Sequence, residues 1–180
     1  MGEAKRRREA LRQSFLKMVD LWSFPETEWE RDLVVELSRR PVLRVPRAPD
    51  WWLEYTRMVP QQCHVNARFM ADSDPEYEHV TGWWPQSGNF ALHSVVRHKG
   101  QLMCVTPPQS FLRGMSDHVD FIPDPMIEWS DEGADSRAYR DGVRLGAGVR
   151  ADPAEAIRCQ ELFRDRLLAG EDPLRALFRP

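Results

Sequence analysis

Residues 89–106 leave the chain little choice but a β-hairpin. Two apolar runs, 89–97 and 101–106, flank His98-Lys99-Gly100, a junction suited to a tight turn. With Lys99-Gly100 as the two-residue turn, His98 pairs with Gln101 and Val95 with Cys104. His93 then faces Thr106 and lies diagonal to Cys104 on one sheet face, because strand side chains alternate. Further strands are expected at 79–84 and 126–129. Consecutive strands with short links argue for an antiparallel sheet.

The hairpin sits between helical segments. Ala10, Leu11, Phe15, Met18 and Val19 recur at helical spacing within 3–20. A second helix is expected over 25–39, with Pro25 in its first turn, acidic residues near its positive end and Pro41 as its stop. Pro46 and Pro49 make 42–49 an extended connector or edge strand, and 51–58 reads equally as strand or helix. A short helix is expected over 60–71, opening at Gln61, Gln62 or Cys63. Asp152 and Pro153 form a cap and first position for a helix over 152–169, and a last short helix is expected over 172–178. Residues 131–148 are polar and glycine-rich and read as a loop.

These elements predict an α+β fold in a single domain, 1–180, with a helical region at 1–40, a helix and antiparallel strands at 60–130, and closing helices at 152–178. At 42% hydrophobic and 29% charged residues, the composition suits a globular core and argues against wholesale disorder. A net charge of −3 does not favour a polyanionic partner for the whole chain. The basic run Lys5, Arg6, Arg7, Arg8 is bracketed by Glu3 and Glu9 and reads as a solvated helical face rather than a nucleic-acid contact. No stretch reaches the ~20 apolar residues of a membrane span, and no apolar secretory core follows the basic start. A cytoplasmic location is the expectation, with Cys63, Cys104 and Cys159 as reduced thiols.

Cys63 and His93 are the expected chemical centre. A thiol at a helix N-terminus feels the positive end of the backbone dipole, which favours the thiolate. A histidine within hydrogen-bond reach stabilises that thiolate and carries its proton, and a third polar group orients the imidazole. The hairpin register places that third group on the strand after Gly100. The backbone N–H of Cys63 and the side chains of Gln61 and Gln62 are candidate oxyanion donors, with exposed helix capping as the plainer reading of the glutamines.

At this point the sequence resembles a family. Cys63-His64-x-Asn66-Ala67, Val80-x-Gly82-Trp83-Trp84, Leu92-His93-Ser94-Val95-Val96 and Gly100-x-Leu102-x-x-Val105-Thr106-Pro107 resemble small transglutaminase-like or papain-like cysteine proteins of bacteria and phages. The resemblance covers residues 60–107. It implies a Cys–His–Asp thiol site on an α+β fold, with Cys63 as nucleophile and His93 as base. Where the family pattern carries an acid, two residues before Thr106, this chain has Cys104. Either Thr106, Asn89 or a residue from elsewhere takes the acid's place, or the machinery is degraded.

Two functions follow as expectations. One is a thiol hydrolase or acyltransferase that attacks an amide or thioester of a protein or peptide-like substrate without cofactor. The other is a catalytically degenerate protein-interaction module. Trp52, Trp83 and Trp84 are candidates for a substrate or partner surface, since adjacent strand residues face opposite ways. Zinc is a rival use of Cys63, His64, His93 and Cys104, but the chain has no Cys-x-x-Cys or His-x-x-x-His spacing, and no metal is expected. Asp117, His118, Asp120 and Asp124 read as a polar loop rather than a metal site, and Gly142, Gly146 and Gly148 lack the lysine of a phosphate loop.

Overall fold

The computed structural model describes residues 2–108, 117–132 and 135–178. Residues 109–116, inside the expected 60–130 region, and 133–134, inside the expected loop, lie outside the described residues. The chain begins with α1 (Glu3–Trp22), α2 (Glu28–Leu37), β1 (Leu43–Pro46), α3 (Asp50–Tyr55) and α4 (Cys63–Ser73). Strands follow: β2 (Tyr77–Gln86), β3 (Asn89–His98), β4 (Gln101–Met103), β5 (His118–Pro123), β6 (Ile127–Glu132), β7 (Asp135–Arg140), β8 (Val143–Arg144) and β9 (Gly148–Arg150). The chain closes with α5 (Pro153–Leu168) and α6 (Pro173–Phe178). This is an α+β architecture in two compact units, where the sequence read as one domain. Met1–Val35 and Val149–Pro180 form one unit, and Glu36–Gly148 forms the other.

In the first unit, Asp152 caps α5 as expected, its carboxylate accepting from Glu155 N–H at 3.0 Å. Phe15 of α1 meets Phe163 of α5 with ring centroids 5.7 Å apart. The buried Glu30 carboxylate accepts from Arg150 at Nε (3.0 Å), Nη2 (2.7 Å) and the backbone N–H (2.9 Å). Arg150 also donates to the carbonyls of Trp22 and Phe24 and stacks over the Phe24 ring. The pair therefore satisfies itself away from water.

The second unit is built on an antiparallel sheet in the order β1-β5-β2-β3-β4. The β3–β4 register matches the hairpin expectation, His98 opposite Gln101 and Val96 opposite Met103, with Lys99 and Gly100 both at positive φ. The second strand is shorter than expected. At Cys104 it leaves β3, and the Cys104 N–H donates to the Pro46 carbonyl while its carbonyl accepts from Ala48, both at 2.9 Å. Arg47 and Cys104 thus form a parallel bridge, and the two edges of the sheet meet.

Where β2 crosses β5, Gly82 faces Pro123. A Cβ there would stand 2.2 Å from the Ile122 carbonyl oxygen, so only glycine permits the approach. On one face of the sheet, Ala67 and Met70 of α4 and Leu53 of α3 pack with Val96 and Val105. On the other face, Val45, Val80, Val95, Cys104, Val119 and Phe121 form a second cluster.

Two expected loops are strands. Residues 131–148 contain β7, which pairs with β6, and β8, which pairs with β7, in a separate three-stranded sheet. The turn between them is Asp141-Gly142, both at positive φ. The polar stretch 117–124 contains β5, where Val119 and Phe121 face the core and Asp120 faces out. Alternation, not net polarity, decided that segment.

Candidate functional site

Cys63 is the first residue of α4, as expected, and its thiol is buried. Burial pushes its pKa up, and the neighbouring Cys104 adds to that. The backbone N–H groups of Ser94, His64 and Cys63 itself oppose the rise. His93 is also buried. Its pKa is pushed down to about 3, first by burial and then by the positive charges of His64 and Arg47.

Strand alternation gives the two expected partners different neighbours. β3 turns Ser94 and Val96 toward α4, where Ser94 Oγ meets His64. It turns Val95 and His93 to the opposite face. There His93 Nε2 lies 3.6 Å from Cys104 Sγ, and its ring stands against Trp84 and Phe121. Among the described residues His93 makes no hydrogen bond to Cys63. Cys104 therefore occupies the place of the orienting group with a thiol that burial keeps protonated. Arg47 Nη1 stands 3.9 Å from Cys104 Sγ and donates to the Thr106 carbonyl at 2.5 Å. Thr106 does not reach His93: its hydroxyl accepts from Asn66 Nδ2 at 3.2 Å, and that asparagine is also tied to Val59 at both its amide atoms.

Gln61 and Gln62 are exposed at the start of α4, Gln61 with φ of 63°, and Gln62 caps the helix without a side-chain bond. Trp83 is wholly buried, its indole N–H donating to Asp124 at 2.8 Å. Trp84 and Trp52 are half-buried, and Trp51 takes the outward position on α3 at 69% exposure. Asp124 is held by Arg140 (2.8 Å) and Arg40 (3.1 Å). Burial alone would raise its pKa, but the Trp83 indole and these two cations hold it below the carboxylate range. No group of three or more His, Cys, Asp or Glu side chains among the described residues is arranged to hold a metal ion.

Sequence reasoning missed a second polar cluster. Ser94 Oγ lies 2.7 Å from His64 Nδ1 and 2.8 Å from His79 Nε2. Thr81 Oγ1 joins His79 at 3.4 Å and accepts from the Trp129 indole at 2.9 Å. Arg68 stacks over Trp129 at 5.3 Å and binds Ser136. Burial lowers His64 to about 4, with the charges of His79 and Arg68 assisting. His79 is lowered by burial and Arg68, with Asp72 opposing. One serine hydroxyl thus lies within hydrogen-bond reach of two imidazoles, with donor and acceptor roles set by their tautomers. The signal was present in the β2–β3 register, which sets Thr81 opposite Ser94 and His79 opposite Val96 on the α4 face.

The described residues therefore define an α+β protein with a curled antiparallel sheet, a thiol at a helix start and a buried serine–histidine cluster. No helix among them is long and apolar enough to cross a membrane. Compared with protein-family models, curated proteins and solved structures, the chain finds no match in any of the three.

Proposed function

We propose that the chain is a protein-interaction module on a thiol-site scaffold whose Cys–His pair is disengaged. One observation carries the reading: His93 Nε2 is committed to Cys104 and shares no hydrogen bond with Cys63. Burial acts in the same direction, keeping the thiol protonated and the imidazole neutral at pH 7. The outward faces of α3 and α4 supply contact surface in place of chemistry. Trp51 and Tyr55 are 69% and 82% exposed, and Val65 and Phe69 are 61% and 53% exposed.

A second reading, a thiol hydrolase or acyltransferase acting on an amide or thioester, is favoured by the three backbone N–H groups that lie against the Cys63 sulfur. That reading requires His93 to turn from Cys104 to Cys63, take its proton as the sulfur attacks the carbonyl, and return it to the leaving group.

Alkylation of each cysteine by iodoacetamide across pH 6–10, read by mass spectrometry in the wild type and in His93→Ala, separates the two. The interaction module expects Cys63 to react slowly below pH 9 in both proteins. Fast alkylation of Cys63 below pH 8 that disappears in His93→Ala would overturn it and establish the thiolate–imidazolium pair.

A further inference from the structure

Helix α3 is six residues long, and its two sides differ sharply. Trp52 and Leu53 turn inward onto Ala67, Met70 and Val96. Trp51 and Tyr55, one turn apart, stand side by side in solvent. Two large aromatics so exposed form a ledge with its ring faces open. Asp50, beside Trp51 on the exposed side, makes no ion pair among the described residues. Asp50 and Glu54 border a notch of about 50 Å³ closed by Leu53, Met58, Pro60 and Pro107, with no cationic side chain among the described residues that line it. Arg57, just past the helix, is exposed.

Aromatic faces and carboxylates share one electrostatic preference. The π face is the negative end of the ring quadrupole, so it attracts ammonium and guanidinium groups and gains little from phosphates or carboxylates. A carboxylate next to it reinforces that selection and repels anionic partners. The notch has room for one small apolar side chain and no more.

Resting on the interaction-module reading, we propose that the α3 ledge docks a basic segment of a protein partner. An Arg or Lys of that segment lies over Trp51 and Tyr55 and pairs with Asp50, and a small apolar residue beside it fills the proline-lined notch. The ledge selects for cationic peptides and against acidic peptides and nucleic acids.

Fluorescence anisotropy of a fluorescein-labelled peptide of alternating arginine and valine, titrated with the full chain, tests this. The same peptide with glutamate in place of arginine is the comparison. The arginine peptide is expected to bind and the glutamate peptide not to bind. Trp51→Ala should weaken binding about 10-fold, and Asp50→Asn about 3-fold with a flatter salt dependence. Glu155→Gln, a carboxylate exposed on α5, should change nothing. Equal binding of both peptides, no binding of either, or binding indifferent to Trp51→Ala and Asp50→Asn each overturns the proposal. None of these touches the non-catalytic reading, which fails only if Cys63 alkylates as a His93-dependent thiolate.

Discussion

His93 Nε2 approaches Cys104 Sγ to 3.6 Å in the interior of the curled sheet, and the Arg47 guanidinium stands 3.9 Å from the same sulfur. A neutral thiol beside an imidazole and a cation orients neither strongly. A carboxylate in its place would accept from both. Cys104→Asp is therefore expected to raise the His93 pKa from about 3 by roughly 1–3 units, read by NMR of the imidazole protons. The same substitution buries a charge beside Val95 and Phe121, so stability at pH 7 should fall by about 1–3 kcal/mol. An unchanged His93 titration would mean that position 104 does not face the imidazole.

The histidines also set a pH dependence of stability. His93 and His64 are pushed down to about 3 and about 4, below the ~6.5 of an unfolded chain. Below pH 6.5 the unfolded chain binds protons that the fold refuses, so this stability is complete above that pH and declines as pH falls toward the folded values. His93 alone should cost on the order of 3 kcal/mol by pH 4. Urea unfolding at pH 4, 5, 6 and 7 measures the decline, and His93→Phe should flatten it. A variant with the same slope as the wild type would remove His93 from the account.

How much of this was legible before the structure depended on whether local pattern or long-range pairing governed each element. The Asp152-Pro153 cap and the Lys99-Gly100 turn are local chemistry, and both elements stand where the sequence placed them. The thiol at the start of α4 followed from the same kind of reading. The strand at His118–Pro123 was obscured because Asp117, Asp120 and Asp124 interrupt and flank it, although Val119 and Phe121 alternate correctly. Sequence could place His93 and Cys104 on one face, since the hairpin fixes that. It could not show that α4 lies against the opposite face, the one carrying Ser94 and Val96. That choice is made by tertiary packing, and it sets the His93 imidazole against Cys104 rather than in a hydrogen bond to the Cys63 thiol.

The crossing of β2 and β5 depends on the missing side chain at Gly82. Gly82→Ala places a methyl 2.2 Å from the Ile122 carbonyl oxygen and 2.7 Å from the Phe121 ring. Backbone cannot rotate aside as a side chain can, so the strands must part and loosen the cluster around Phe121. A loss of roughly 1–3 kcal/mol or more is expected, measured as a lower urea midpoint. A neutral Gly82→Ala would contradict the close approach itself.

The first unit offers the sharpest energetic test, because Glu30 and Arg150 are 2% and 1% exposed and satisfy each other through three hydrogen bonds. Arg150→Leu strands a buried carboxylate and frees the carbonyls of Trp22 and Phe24, both of which accept from Arg150. Glu30→Leu strands a guanidinium that still has those carbonyls. Each single change should cost about 3–5 kcal/mol, with Arg150→Leu the worse for losing more partners. The double variant should cost less than the sum of the two, because the uncompensated charge is gone and an apolar pair of similar volume packs in its place. Chemical denaturation of the four proteins completes the cycle. Additive losses would show that the two side chains act independently, and the ion pair could not then be what fixes Arg150 against the start of α2.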